Sequence, residues 1–131
     1  MILIDTTVWI DFFSKRNSRQ VVHLVKLIEQ REELCLCGIV LTEILQGIKN
    51  PREYKQAEDL FGSLLFLSMT RDTFILAADI YRSLRTRGIT IRKTLDCMIA
   101  AVAIEHKVPL LHNDHDFDPI AKFCGLAVCY A

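Results

Sequence analysis

Short apolar runs alternate with longer helical patterns along this chain. The apolar runs predict strands at Ile2–Ile4, Leu34–Cys37, Leu64–Leu67, Pro109–Leu111 and Ala127–Tyr130. Capping residues and apolar residues three or four apart predict helices from Thr6 or Thr7 to about Ser14, from Ser18 to about Arg31, at Ile39–Ile48, from Pro51 onward, and at Arg71–Arg87, Thr94–His106 and Asp116–Phe123. Such alternation is typical of a parallel sheet with helices on both faces. We therefore predict one α/β domain over residues 1–131.

The composition suits a globular protein whose charges cancel overall but are unevenly distributed along the chain. Hydrophobic residues make up 51% of the chain, which supplies a core, argues against disorder and leaves apolar side chains for a partner. The 16 basic and 16 acidic residues cancel, which is not the usual balance of a nucleic-acid-binding protein. The segment from Arg82 to Lys93 nevertheless carries five basic residues and no acidic one, so a neutral chain can still have a basic zone.

The cysteines and the first residues predict the compartment. The five cysteines are an odd number and mostly lie in apolar runs, which indicates free thiols in a reducing compartment. The start, MILIDTTVWIDFF, lacks the basic segment of a signal peptide. No stretch reaches the ~18–20 apolar residues of a membrane span. We expect a cytoplasmic protein without a membrane contact.

Acidic residues follow the predicted strands or open the helices behind them. Asp5 ends the first strand and Asp114 follows the fourth, while Glu43 and Asp96 lie early in predicted helices. Because function collects at the carboxyl ends of parallel strands, we expect these acids at one edge of the sheet. Carboxylate oxygens suit Mg²⁺ or Mn²⁺, which can activate water and stabilise charge on a phosphate. The sequence thus predicts a metal site that cuts phosphodiester bonds.

Each acid also has an ordinary structural explanation. Asp5 can cap a helix, Glu43 can lie on an exposed helix face, and Asp96 can complement a helix dipole. Asp114, Asp116 and Asp118 can form a polar turn before a helix capped by Asp116 or Asp118, with Asp118 favoured because Pro119 follows it. His112 and His115 are expected at the surface.

Four segments together resemble a known family. IDTTVWIDFF, LTEILQG, LDCMIAA and LLHNDHDFDPIA, in this order, resemble the PIN-domain family and within it the VapC ribonuclease toxins of bacterial toxin–antitoxin pairs. The resemblance spans nearly the whole chain. It implies a three-layer α/β/α sandwich with a mostly parallel sheet and a Mg²⁺- or Mn²⁺-dependent endoribonuclease.

The resemblance also assigns roles to single residues. Asp5, Glu43, Asp96 and Asp114 match the four acids that hold the metal, and Asp116 matches a further acidic position that competes for the fourth place. Thr7 matches a Ser or Thr near the metal, and Cys97 replaces a small residue without affecting the chemistry. The implied partners are a cognate antitoxin, an RNA substrate and a second copy of the chain, with DNA bound only through the antitoxin.

Two assignments extend this hypothesis. Arg85, Arg87, Arg92 and Lys93 are candidates for holding the RNA backbone, with a solvated helix end as the equal alternative. Trp9, Phe12 and Phe13, with the first two helices and those around Ile44 and Tyr54, are candidates for the partner surface, although these aromatics can equally pack inside. The rival functions are a non-catalytic antitoxin-binding protein and a DNA nuclease or phosphatase that uses the same acids.

Overall fold

Four parallel strands form the centre of the molecule. The computed structural model describes all residues from 1 to 131. The strands are β1 (Ile2–Ile4), β2 (Leu34–Cys37), β3 (Leu65–Leu67) and β4 (Leu110–Leu111), in the spatial order β3-β2-β1-β4. Every neighbouring pair is parallel. The predicted α/β fold with a central parallel sheet is confirmed.

Seven helices surround this sheet. They are α1 (Thr6–Phe13), α2 (Arg19–Glu29), α3 (Gly38–Gly47), α4 (Pro51–Gly62), α5 (Arg71–Thr86), α6 (Thr94–His106) and α7 (Asp118–Cys124). Their order is the predicted one, and most ends differ from the prediction by one or two residues. No helix has the length and apolar character needed to cross a membrane.

Local capping chemistry explains why the predicted starts are accurate. The Ser18 hydroxyl accepts a hydrogen bond from the backbone N–H of Val21 at 3.1 Å and so caps α2. The Asn50 side chain accepts from the backbone N–H groups of Arg52 and Glu53, and Pro51 takes the first turn of α4. These bonds satisfy N–H groups that a helix leaves free at its start.

The core encloses one of the three aromatic residues considered for a partner surface, Trp9. Trp9 is fully buried, and its ring packs against Phe12, Phe13 and Phe61 at centroid distances of 5.7, 6.0 and 5.1 Å. Phe12 and Phe13 are half-buried. Of the two alternatives left open for Trp9, the structure shows that its ring packs inside, because α1 packs it onto Phe61 of α4.

Four local predictions need correction. Asp5, rather than a threonine, caps α1, because its carboxylate accepts from the backbone N–H of Thr7. The predicted strand Ala127–Tyr130 reduces to one bridge between Val128 and Leu110, since β4 is only two residues long.

The predicted helix Asp116–Phe123 begins instead with a 3-10 turn at His115–Phe117, and α7 follows it. Asp118 does not cap α7, because its carboxylate pairs with His115 Nδ1 at 3.0 Å.

Candidate metal centre

The carboxyl ends of β1 and β4 lie side by side. Ile4 pairs with Leu111 across these strands, and the backbone N–H of Asp5 donates to the carbonyl of Leu111 at 2.9 Å. Asp5 therefore leaves the sheet beside the loop that carries residues 112–116. The register of one strand pair brings together acids more than a hundred positions apart.

Asp5 is a buried carboxylate with one satisfied oxygen. Its Oδ2 accepts from the backbone N–H of Thr7 at 3.1 Å and from the Thr7 hydroxyl at 2.6 Å. Its Oδ1 is buried without a hydrogen-bond partner. Burial raises the pKa of Asp5 to about 6, against the lowering effect of the Thr7 hydrogen bonds. A buried anionic oxygen without a partner is costly unless a cation binds it.

Thr7 connects Asp5 to the loop after β4. Its Oγ1 donates to Asp5 and accepts from the backbone N–H of Asn113 at 3.0 Å. The Asn113 side chain in turn donates to the Asp11 carboxylate at 3.2 Å, and Asp11 is also buried. This chain of hydrogen bonds holds α1 and the loop in one arrangement, with Thr7 between Asp5 and Asn113.

Asp96 is the second buried carboxylate with a free oxygen. It lies in the first turn of α6, and its Oδ2 is buried without a partner. Its ligand atom and those of Asp114 and Asp116 lie within 4.8 Å of one another. Burial, followed by the charges of Asp5 and Asp114, raises the pKa of Asp96 to about 7, which the charge of Lys93 partly opposes.

Glu43 lies on the Asp5 side of this group. The Thr6 hydroxyl donates to its Oε1 at 2.7 Å, which fixes a half-buried carboxylate one turn into α3. The charge of Glu43 contributes to raising the pKa of Asp5. Asp96, Asp114 and Asp116 form one tight group. Asp5 affects the pKa of Asp96, and Glu43 affects that of Asp5, but neither belongs to this tight group.

Asp114 and Asp116 both lie in this group, and each uses one oxygen elsewhere. Asp114 Oδ1 accepts from the backbone N–H of Asp116 at 2.9 Å. Asp116 Oδ2 lies 3.4 Å from Arg92 Nε. Each therefore has a second oxygen outside these contacts, and the geometry favours neither for the fourth position. His112 Nδ1 accepts from the backbone N–H of Asp114 at 3.2 Å and so orients the loop.

The four candidate basic residues separate into two pairs. Arg92 pairs with Asp116, and Lys93 lies close enough to Asp96 to lower its pKa against the stronger effect of burial. Arg87 instead lies 4.3 Å from the ring centroid of Phe123, and Arg85 lies 5.6 Å from that of Tyr81. Only the first pair has a contact or a charge effect at the acidic group.

The donor set fits a divalent cation. The available ligands are carboxylate oxygens, and two of them, Asp5 Oδ1 and Asp96 Oδ2, are buried without partners. Hard oxygen ligands of this kind suit Mg²⁺ and Mn²⁺. The five cysteines are all free, and none is in the tight group of candidate ligands.

Comparison with known proteins agrees with this geometry. The family model described as the PIN domain matches residues 2–123. The chain belongs to the PIN-domain family. It is 37% identical over 128 residues to Ribonuclease VapC11 of Mycobacterium tuberculosis, with 96% of each chain covered, which places it with the VapC ribonucleases. The family resemblance seen in the sequence is therefore confirmed.

Solved structures share the fold of this PIN domain. VapBC2 from Rickettsia felis, bound to a DNA fragment from its promoter, superimposes with a TM-score of 0.77 at 21% identity and covers 98% of each chain. A toxin–antitoxin complex from Klebsiella pneumoniae superimposes with a TM-score of 0.75 at 20% identity, covering 99% of this chain and 98% of its own.

Three polar residues that support the acids were missed in the sequence. Thr6 holds Glu43, and Asn113 and Asp11 extend the contact of Thr7. Asn113 had a usable signal, since it lies between two candidate residues in LLHND. Asp11 had the signal of an acid within the apolar helix VWIDFF.

The raised pKa of Asp5 predicts how the stability of the metal-free PIN domain depends on pH. Between about pH 4 and pH 6 the folded protein holds more protons than the unfolded chain, because the pKa of Asp5 rises from 3.8 to about 6 on folding. The free energy of unfolding therefore falls as the pH rises through this window. A pKa difference of about two between the folded and unfolded states corresponds to roughly 3 kcal/mol.

Asp5→Asn should remove this fall in the free energy of unfolding with rising pH. In EDTA, urea unfolding should show the variant gaining roughly 3 kcal/mol over the wild type between pH 4 and pH 8. Asp79→Asn, at an exposed position of α5, is the matched control and should follow the wild type. An Asp5→Asn variant whose stability follows the wild type across this range would contradict the assigned burial cost.

Thr7→Val should weaken metal binding. The variant keeps the side-chain shape but loses the hydroxyl that holds Asp5 Oδ2 and the Asn113 N–H. Loss of a group that orients a metal ligand typically lowers metal affinity 10–100-fold, so calorimetric titration with Mn²⁺ should show a drop of about this size.

Thr7→Ser should keep the affinity, because it keeps the hydroxyl. The control Thr86→Val removes an exposed hydroxyl bond to Ser83 on α5 and should bind Mn²⁺ normally. Equal Mn²⁺ affinity of Thr7→Val and wild type would show that Thr7 does not position Asp5.

Proposed function

We propose that this chain is a Mg²⁺- or Mn²⁺-dependent endoribonuclease that acts as the toxin of a toxin–antitoxin pair. The observation that carries the proposal is the pair of buried, unpartnered oxygens on Asp5 and Asp96. Asp96 also belongs to a group of three carboxylates whose ligand atoms lie within 4.8 Å of one another. A protein that only bound a partner would have no use for such a costly arrangement.

Asp5, Glu43, Asp96 and Asp114 are the proposed metal ligands, with Asp116 as the alternative to Asp114. A divalent cation held there would supply positive charge to the phosphate and lower the pKa of an attacking water. Hydrolysis then leaves a 3′-hydroxyl and a 5′-phosphate. Thr6 and Thr7 keep Glu43 and Asp5 in fixed orientations, so the ligands need little rearrangement.

Arg92 and Lys93 are the proposed contacts to the RNA backbone at the cut. Arg92 pairs with Asp116, and the charge of Lys93 lowers the pKa of Asp96 against the stronger effect of burial. These are the residues of the basic segment with a contact or a charge effect at the acidic group. Arg85 and Arg87 lie at the end of α5, over the rings of Tyr81 and Phe123. They are proposed to contact the RNA backbone farther from the cut. Phosphate contacts of this kind provide affinity that does not depend on sequence.

An antitoxin is the proposed protein partner, since the structural relatives include toxin–antitoxin complexes. The apolar face of α2 is suited to it, because Val22, Val25 and Ile28 are each more than a third exposed. Ile10 on α1 and Tyr54 on α4 extend the exposed apolar surface among the helices predicted for this contact. We also propose a homodimer and DNA contact through the antitoxin alone.

Asp5→Asn should abolish metal-dependent RNA cleavage without unfolding the protein. The purified, antitoxin-free protein would be incubated with RNA and with DNA in Mg²⁺, Mn²⁺ or EDTA. Removal of one ligand charge should lower the cleavage rate at least 100-fold, an order-of-magnitude figure for metal charge stabilisation of several kcal/mol. Asp79→Asn should cleave at the wild-type rate, since Asp79 is exposed on α5.

Four outcomes would revise the proposal. Cleavage of DNA but not RNA would favour the DNA nuclease, and release of phosphate alone would favour the phosphatase. Metal-dependent cleavage by Asp5→Asn at the wild-type rate would remove the assignment of Asp5. A protein that cuts nothing but binds antitoxin would be the non-catalytic alternative.

Val25→Glu should weaken antitoxin binding while leaving RNA cleavage unchanged. The substitution places a charge in the middle of the exposed apolar face of α2. Co-expression and pull-down should recover less antitoxin with this variant. Ile75→Glu, which changes an exposed apolar residue on α5, is the control and should recover the normal amount. Equal recovery with both variants would place the partner surface elsewhere.

A further inference from the structure

A cavity of about 490 Å³ opens beside the metal centre. Asp114 and His112 from the loop after β4 line it together with Gln20 of α2, Lys122 of α7, and Leu126 and Tyr130 near the end of the chain. Its volume lies within the range of small-molecule sites in proteins. Asp114 also belongs to the acidic group, so it borders both the cavity and that group.

We propose that this cavity binds one base of the RNA, that of a nucleotide next to the phosphodiester bond that is cut. The inference rests on the proposed function and specifies where that site selects its substrate. A nucleotide whose phosphate lies at the acidic group can place its base in the cavity, because Asp114 borders both. The base would then decide which bonds the enzyme cuts.

The charges in the cavity favour a neutral base over a phosphate. Asp114 and Asp118 both line it, as do Lys122 and His115. His115 is already paired with Asp118 at 3.0 Å. With two carboxylates in the wall there is no excess positive charge for a phosphate, while a base presents donors and acceptors that both kinds of group can contact.

His112 supplies a donor of fixed orientation. Its Nδ1 accepts from the backbone N–H of Asp114, so in this arrangement the ring hydrogen is assigned to Nε2. Nε2 has no partner within the chain, although His112 lines the cavity. Gln20 adds an amide that can both donate and accept. A donor and an amide beside one cavity are the kind of groups that read the edge of a base.

Tyr130 supplies a surface for stacking. It is 82% exposed, the most exposed large hydrophobic residue of the chain, and lines the cavity beside the buried Leu126. Unpaired bases in RNA commonly stack on aromatic side chains. An exposed ring at the cavity of a ribonuclease has this use.

The first test measures base selectivity. Single-stranded RNAs that carry each of the four bases, or no base, at positions flanking a mapped cut would be cleaved in Mn²⁺. Wild type should prefer one base over the abasic RNA by about ten-fold, the lower part of the range for losing one base–aromatic stack. Tyr130→Ala should lose this preference yet cut the abasic RNA at the wild-type rate. Phe74→Ala, at an exposed aromatic residue of α5, is the matched control.

The second test does not depend on cleavage. The four nucleosides, and inorganic phosphate alone, would be titrated in EDTA while the ring signals of Tyr130 are followed by NMR. At least one nucleoside should shift these signals saturably, and Gln20→Ala should weaken its binding. Nucleoside binding by a protein that cuts no RNA would support the cavity and refute the proposed function.

Two results would overturn the inference while the proposed function stands. One is RNA cleavage with no base preference at any flanking position, together with no nucleoside binding. The other is a Tyr130→Ala variant that keeps the wild-type preference and loses only antitoxin binding, which would assign the cavity to the protein partner.

Discussion

The parallel pairing of β1 with β4 is the constraint on which the metal centre depends. Ile4 opposite Leu111, and the Asp5 N–H on the Leu111 carbonyl, place the first acid beside the loop of Asp114 and Asp116. A slip of one residue would turn every side chain of the shifted strand to the opposite face of the sheet. The acids would then be separate surface charges that could not bind one cation together.

The acids are held at a cost to stability that the core offsets. Asp5 and Asp96 have raised pKa values because burial disfavours their charged forms, and each has an oxygen without a partner. Burial of the apolar strands and of Trp9 stabilises the fold and offsets the free-energy cost of burying these carboxylates. Functional sites commonly violate the rules that stabilise the rest of a fold. The Thr7 hydroxyl limits this cost by satisfying the other oxygen of Asp5.

The sequence predictions were accurate where a feature depends on neighbouring residues and less accurate where it depends on residues far apart in the chain. Ser18 and Asn50 cap their helices through neighbours two or three residues away, so both starts were predictable. The segment Ala127–Tyr130 has the apolar pattern of a strand, but a strand needs a partner of similar length, and β4 offers Leu110 alone. Trp9 was ambiguous for the same reason, since only the packing of α1 on α4 decides whether its ring is covered.

The sequence by itself determined the order of strands and helices, the acidic residues proposed for the chemistry, and the PIN-domain family, because each of these depends on residues close together in the chain. Only the tertiary structure decided that Asp96, Asp114 and Asp116 form the tightest group and that Glu43 is held beside Asp5 by Thr6. It also decided that Arg92 and Lys93, rather than Arg85 and Arg87, lie at this group. The physical reason is that strand register and helix packing set the distances between residues far apart in the chain.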